Sequence, residues 1–313
     1  HGKNVLITGA SRGLGLATAR EFGSLGAIVA ICARDRAELD RAHRDLSARG
    51  VRAHTFVCDI TDRNQVQAMV AAAVGRLGPI DLLVNNAGII KVAPFSEMTV
   101  EDFEEAMQVM FWGMLYTTLA VLPGMRARKQ GAIVNITSIG GKVSVPHLLP
   151  YCCAKFAAVA LSEGLRTELA PAGIRVTTIA PGLLRTGSHL NAVFKGRQSR
   201  EYTWFAAGAA TPLVSISAER AARSIVRAAV RGTGEKVLSV PAEIAARLVG
   251  LAPGLSGELL TLVNRALPAE TGGRTAECTG HDVEATMNSR LWKAVTRFGQ
   301  RAAGELNEIP ASV

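Results

Sequence analysis

Tyr151 and Lys155 stand one helical turn apart in Tyr151-Cys152-Cys153-Ala154-Lys155, and Ser138 lies thirteen residues upstream of the tyrosine. On a helix, residues i and i+4 share a face, so the Lys155 ammonium sits near the Tyr151 phenol and favours its ionised form. A phenol with a reference pKa of about 10 then becomes a proton donor or acceptor for chemistry near neutrality. Alone the pair is a weak signal, because these two residue types meet at this spacing on many surface helices.

Two elements must position such a site. Val5-Leu6-Ile7 is a short apolar run ending in Thr8-Gly9-Ala10-Ser11-Arg12-Gly13-Leu14-Gly15, after which Leu16, Ala19, Phe22 and Leu25 recur at helical spacing. This reads as strand, glycine-rich turn, helix. Glycines there let the backbone approach a pyrophosphate, and the helix N-terminus offers unpaired N–H groups to it. The plainer alternative is an ordinary strand-to-helix turn. Further along, Asn85-Asn86-Ala87-Gly88 follows the apolar run Ile80–Val84, Ile133–Thr137 leads into Ser138, and Ala180-Pro181-Gly182-Leu183-Leu184-Arg185-Thr186 follows another apolar run.

The Gly-x-x-x-Gly-x-Gly spacing, the Asn-Asn-Ala-Gly segment, the Ser138–Tyr151–Lys155 set and the Pro-Gly loop resemble the short-chain dehydrogenase/reductase family over about residues 2 to 236. The resemblance implies an α/β fold: a single Rossmann-type doubly wound parallel sheet with helices on both faces, here followed by a helical C-terminal extension over 237–313. It implies Ser138, Tyr151 and Lys155 as catalytic residues. It also implies a nicotinamide dinucleotide held by Gly9, Ser11, Arg12, Gly13, Leu14, Gly15, Arg34, Asp59, Ile60, Asn86, Ala87, Gly88, Tyr151, Lys155, Pro181, Gly182, Leu184 and Thr186. Homodimers or homotetramers built through the helices that contain Tyr151 and Phe111 are expected on the same ground.

The second strand, Ala27–Cys32, ends at Ala33-Arg34-Asp35-Arg36. Members that use NAD usually carry an Asp at the position of Ala33, where it pairs with the ribose 2′-hydroxyl and repels a 2′-phosphate. That repulsion is absent here, and Arg34 offers a planar fork of donors suited to a phosphate. NADP(H) is therefore expected over NAD(H), against the alternative that Arg34 and Arg36 are solvated charges around Asp35. Asp59 resembles the family's adenine-contacting Asp, or else supplies a carboxylate to the next helix N-terminus. One departure stands out. Val109-Met110-Phe111-Trp112-Gly113 places Met where relatives have an Asn whose amide holds a bend in the helix. The backbone carbonyl implied in the family's proton relay is retained, so a slowed enzyme is expected more than a dead one.

Residues 186–211 carry Leu190, Val193, Phe194, Trp204 and Phe205 beside His189, Lys195, Arg197 and Arg200, and are expected to form a helical lid over the nicotinamide. His147, Leu148, Phe194 and Trp204 are candidates to line a pocket for a lipophilic ketone, aldehyde or secondary alcohol. Beyond it, Val237–Val240 reads as the last strand. Ile244, Leu248, Leu251, Leu255, Leu259 and Val263 then mark helices broken at Pro253-Gly254. These would pack on the body or a second subunit, cover a lipophilic entrance, or make weak membrane-surface contact. A final amphipathic helix is expected around Leu291, Trp292, Val295 and Phe298.

Composition narrows the classes. At 313 residues and 48% hydrophobic, with strands and helices alternating and no linker, the chain reads as one large domain. The net charge of +9 is scattered along helices, which argues against nucleic acid as a partner. Five cysteines without metal-ligand spacing argue for a reducing compartment and no structural metal. With no apolar leader before the first strand and no 18-residue apolar stretch, a cytoplasmic location is expected. The leading expectation is an NADP-dependent oxidoreductase. The alternative is a nucleotide-binding regulatory or scaffold protein on the same fold, with Met110 as its main support.

Overall fold

The computed structural model describes residues 2–211, 215–271, 275–287 and 299–309. Seven strands form the central sheet: β1 Asn4–Thr8, β2 Ile28–Ala33, β3 Ala53–Val57, β4 Leu82–Asn85, β5 Gly131–Ile136, β6 Ile174–Ala180 and β7 Glu235–Val237. All pair in parallel in the order β7-β6-β5-β4-β1-β2-β3. Every residue of β1 and β5 is buried, which suits strands covered on both faces. The strand order reverses between β1 and β4, so the loops at their C-terminal ends open the crevice where such sheets bind ligands.

Helices α1 Gly13–Ser24, α2 Arg36–Ala48 and α8 Ala218–Arg231 cover one face, with Leu16, Phe22, Leu39, Leu46 and Ile225 in its core. The other face is covered by α3 Arg63–Leu77, by α4 Val100–Met107 running through a π-helical stretch Gln108–Trp112 into α5 Gly113–Ala127, and by α6 Leu149–Leu169. The stretch Val100–Ala127 contains an 18-residue window of mean hydropathy 1.3. Half of that window is buried, as befits a core helix packed against the sheet.

The last strand ends earlier than expected. The Leu238 N–H makes the last bond to the Ala180 carbonyl; Ser239 is extended and its Oγ accepts the Ala242 N–H, which caps α9 Val240–Leu251 and takes 239 and 240 out of the sheet. The boundary expected at 236 therefore falls inside β7. The predicted break is present, since α9 stops at Ala252 and α10 Pro253–Ala266 begins on Pro253. Packing of these helices on the body is not what the fold shows. In α9 and α10 only Ala242 and Ser256 are buried, while Ile244, Leu251, Leu255, Leu259 and Leu262 are exposed. The helix expected around Leu291 to Phe298 lies outside the described residues.

Residues 186–211 form a short turn of 3-10 helix at Ser188–Leu190, a strand at Val193–Phe194 and α7 Gln198–Ala210. Val193–Phe194 lies between Lys91–Val92 and Cys278–Thr279 in a small separate sheet, so the extension returns to clamp the lid. The clamp is electrostatic as well. Buried Asp102 accepts hydrogen bonds from Lys91 Nζ at 2.7 Å and Lys195 Nζ at 2.6 Å, and Lys195 also pairs with Glu277 at 2.9 Å. Burial raises the Asp102 carboxyl, but the bonds from Lys195, Lys91 and the Thr99 N–H outweigh it and hold the group near about 2. A depressed carboxyl adds stability that is present above its unfolded pKa and lost as pH falls toward the folded value. Asp102→Asn should therefore cost about 3 kcal/mol at pH 7 and flatten the loss of stability between about pH 4 and 2, as read by urea denaturation across pH. Equal stability of wild type and variant would show that the clasp contributes nothing.

Candidate active site

The glycine-rich turn is shaped by contact with the loop after β4. Gly9 has φ +60°, and a Cβ there would lie 2.7 Å from the Ala87 Cα. Asn86 Nδ2 donates to the carbonyls of Thr8 and Gly9 at 3.0 and 2.9 Å, while the Thr8 hydroxyl accepts the N–H groups of Asn86 and Ala87. A Cβ on Gly15 would run into the Gly9 carbonyl and the Asn86 amide. Gly88 is exposed to the cleft, and the Met110 thioether and Lys155 Nζ face it from below.

A second set of contacts was invisible in the sequence. Asn85 Nδ2 donates to Asn135 Oδ1 at 2.9 Å, Asn135 Nδ2 donates to Ser162 Oγ at 2.9 Å, and Ser162 meets Thr178 Oγ1 at 2.7 Å. Thr117 donates to Asn85 Oδ1 and Thr118 accepts from its Nδ2. All six are buried, and the ladder crosses β4, β5 and β6 at residues in register, reaching α6 through Ser162. Thr137 then binds the Ile179 carbonyl through both N–H and hydroxyl, and the Ile139 N–H binds the Pro181 carbonyl. The loop carrying Ser138 is thereby fixed to the Pro181-Gly182 loop.

On this frame Ser138, Tyr151 and Lys155 come together. Ser138 and the Tyr151 ring both lie against Gly140, the Ser138 side chain lowers the phenol, and its Oγ accepts the Gly140 N–H at 3.0 Å. Lys155 Nζ lies 5.7 Å from the Tyr151 ring centroid and donates to the Ile136 carbonyl at 2.9 Å. The lysine was expected to lower the phenol. Instead, burial drives both groups toward neutrality: Tyr151 is pushed up to about 12, partly offset by Ser138, and Lys155 is pushed down to about 8. Met110 is buried within the π-helical stretch, so that local distortion forms without the amide expected to hold a bend there.

At the adenosine end, Arg34 is exposed and makes no ion pair among the described residues. Asp35 is used as the α2 cap, accepting the Glu38 N–H, and Arg36 pairs with Asp40. Arg12 and Ser11 both bond to Glu38, at 2.6 and 2.8 Å. Asp59 accepts from Thr61, whereas Asp62 caps α3, so the helix-cap alternative for Asp59 fails. Ile60 packs against Gly113, and Leu14 and Leu184 pack on the core beside the turn. Thr186 is buried, its hydroxyl accepting the Ser188 N–H, and a Cβ on Gly182 would lie 2.6 Å from Ser239 Oγ.

The lid residues separate. His147 adopts φ +64°, places Nδ1 2.9 Å from the buried carboxylate of Glu201, and belongs to the wall of a cleft of about 530 Å³ with Phe95, Leu149, Leu260 and Leu267. Trp204 donates to the same Glu201. Phe194 has no exposed surface and Leu148 is buried beside it, so both fill the lid's interior in this conformation. One wall of the cleft is α10, which places the extension beside the expected substrate entrance.

The family model for short chain dehydrogenase matches residues 3–194. The chain belongs to the short-chain dehydrogenase family. Among relatives, this dehydrogenase is 40% identical over 183 residues to the granaticin polyketide synthase putative ketoacyl reductase 1 of Streptomyces violaceoruber, covering 58% of this chain and 67% of that protein. A short-chain dehydrogenase structure from Streptomyces avermitilis superposes with TM-score 0.72 at 30% identity, covering 84% of this chain and 97% of the other. An actinorhodin polyketide ketoreductase solved with NADPH gives TM-score 0.67 at 30% identity, covering 76% and 95%. The protein is thus an oxidoreductase that binds NAD(P). The start of α1 fits that group, because the Gly13 N–H points out of the helix N-terminus and the missing Cβ of Gly13 leaves its approach open.

Residues missed from the sequence include Asn85, Asn135, Ser162 and Glu201, and also Asn307 and Glu308, which reach the glycine-rich turn from the C-terminal end. Their roles depend on remote partners: Ser162 meets Thr178 16 residues away, Glu201 meets His147 54 residues away, and Asn307 meets Ser11 296 residues away. Asn135→Val should cost about 2–3 kcal/mol in urea denaturation, because it leaves the Asn85 amide and Ser162 hydroxyl without partners in a buried setting. A cost within experimental error would show that the ladder does not fix the three strand ends.

Proposed function

We propose that this dehydrogenase prefers NADP(H) and reduces a lipophilic ketone or aldehyde, or runs the reverse reaction on a secondary alcohol, with Tyr151 as the acid/base. The observation that carries this is the Tyr151 phenol with Ser138 and Lys155 beside it, burial making the phenol hold its proton more tightly and the ammonium hold its proton less tightly. When bound, the nicotinamide supplies the hydride. Tyr151 gives its proton to the carbonyl oxygen, and Ser138 donates a second hydrogen bond to that oxygen. Lys155 keeps positive charge under the oxygen as it becomes an alcohol and holds the nicotinamide ribose. Met110 retains the backbone carbonyl that the relay needs, and the helix around it takes a π-helical form, which favours the enzyme over a binding-only protein.

The preference for NADP rests on Arg34, whose guanidinium is exposed beside Ala33 while its charged neighbours are engaged elsewhere. The lipophilic substrate is supported by the apolar side chains along the cleft at His147.

Tyr151→Phe should lower kcat for NADPH-dependent reduction of lipophilic ketones by about 10²–10⁴-fold, with NADPH affinity little changed. In wild type, kcat/KM should hold from pH 6 to 7 and fall as pH rises through about 8, where Lys155 loses its proton. A Tyr151→Phe enzyme of normal rate would sink the assignment. Arg34→Ala should weaken NADPH binding about tenfold while leaving NADH within about twofold, as expected for one charge-assisted bond to phosphate. Equal losses for both nucleotides would remove the basis for the preference.

A further inference from the structure

The crevice that would take the dinucleotide phosphates is already engaged by the chain's own C-terminal segment. Helical residues 299–305 lie across α1 and α8, with Leu306 fully buried against Ala17, Ala218 and Ala222. The Gly13 N–H, one of the unpaired donors at the start of α1, gives its hydrogen bond to the Leu306 carbonyl at 2.9 Å. Asn307, in the left-handed conformation at φ +59°, donates from Nδ2 to the Ser11 carbonyl at 2.7 Å and to the Glu38 carbonyl at 3.1 Å, and its Oδ1 accepts from Arg41. Arg20 binds the Glu305 carbonyl.

Glu308 completes the contact. Its carboxylate is 3.3 Å from Arg12 Nε and accepts from Asn191 Nδ2 at 2.7 Å. Its Oε1 stands 2.5 Å from where a Cβ on Gly13 would be, directly over the glycine that lets a pyrophosphate approach. Its main-chain carbonyl is held by Asn191 and by His281. At the other end of the segment, Ala303 packs onto Gly187, next to Thr186. A backbone carbonyl on the helix N-terminal donor, and a carboxylate beside the turn's arginine, occupy the two features of the crevice that recognise phosphate.

We propose that residues 299–309 are a tethered competitor for the dinucleotide, with Glu308 standing in for a phosphate, so that cofactor binding requires the segment to leave the glycine-rich turn. This rests on the dinucleotide reading of the crevice. A site that is open only part of the time binds with an affinity reduced by the open fraction, so loosening the segment must tighten cofactor binding without altering any cofactor contact.

The test combines NADPH titration by fluorescence with hydrogen–deuterium exchange on the full chain. Two variants outside the cofactor machinery loosen the segment: Leu306→Asp removes its apolar anchor, and Arg41→Ala removes the bond that holds Asn307 from α2. In wild type, NADPH should raise exchange in 299–309 while lowering it in 9–16. Leu306→Asp should bind NADPH at least tenfold tighter than wild type, and Arg41→Ala severalfold tighter. If NADPH binds wild type with exchange in 299–309 unchanged or lowered, and with the same dissociation constant in both variants, the competitor is overturned while the nucleotide reading stands. If NADPH binds neither wild type nor either variant, both are overturned.

Discussion

The ladder of buried amides and hydroxyls from Asn85 through Asn135 and Ser162 to Thr178 fixes the ends of three neighbouring strands and one helix. Each of those elements hands over to a functional loop within a few residues: β4 to Asn86-Ala87-Gly88, β5 to Ser138, β6 to Pro181-Gly182, and α6 carries Tyr151 and Lys155 above Ser162. A parallel sheet positions such loops only as well as its register holds. Apolar side chains alone tolerate small shifts, whereas a buried amide that loses its partner costs the full desolvation of that group. The ladder therefore converts general burial into a specific alignment, and the approach of Gly9 to Ala87 extends that alignment to β1.

The charges at the site follow from the same dryness. Lys155 is enclosed and donates to the Ile136 carbonyl, and among the described residues no carboxylate pairs with it. The phenol above it is raised by burial more than Ser138 lowers it. Two groups that resist charge in a closed space make a stronger acid/base pair once a reacting oxygen brings charge to them, because field strength rises as solvent is excluded. The helical spacing of Tyr151 and Lys155 identifies the pair. It does not reveal that burial, and not the ammonium, dominates the resting state.

Legibility in the sequence tracked locality. The β1 turn, the Asn-Asn-Ala-Gly loop and the Tyr-x-x-x-Lys turn are short segments whose glycines and spacing report their own geometry, and the doubly wound sheet follows from their order. The helix break before Pro253 was readable for the same reason. What could not be read depends on remote packing. Val237–Val240 has the composition of a strand, but Ser239 takes the cap position of α9 and ends the sheet early. Phe194 looks like a pocket wall by composition, yet its pairing with Lys91–Val92 and Cys278–Thr279 turns it inward. His147 is a lone loop histidine until Glu201, 54 residues later, meets it.

The C-terminal extension joins the lid to the glycine-rich turn. Cys278–Thr279 pairs with the lid strand, and Gly280 lies so close to His189 and Leu190 that no side chain would fit. Asn191 of the lid in turn holds both the carbonyl and the carboxylate of Glu308 over Gly13. A displacement of Glu308 thus removes two hydrogen bonds from the lid, and a shift of the lid removes them from Glu308. Burying that carboxylate is itself costly, since enclosure pushes it up to about 7 despite the opposing charge of Arg12. The contact is held by the apolar seating of Leu306 and the bonds of Asn307, and it carries a built-in electrostatic penalty. An arrangement with opposing terms of this kind is easier to displace by a competing anion than one in which every term favours closure.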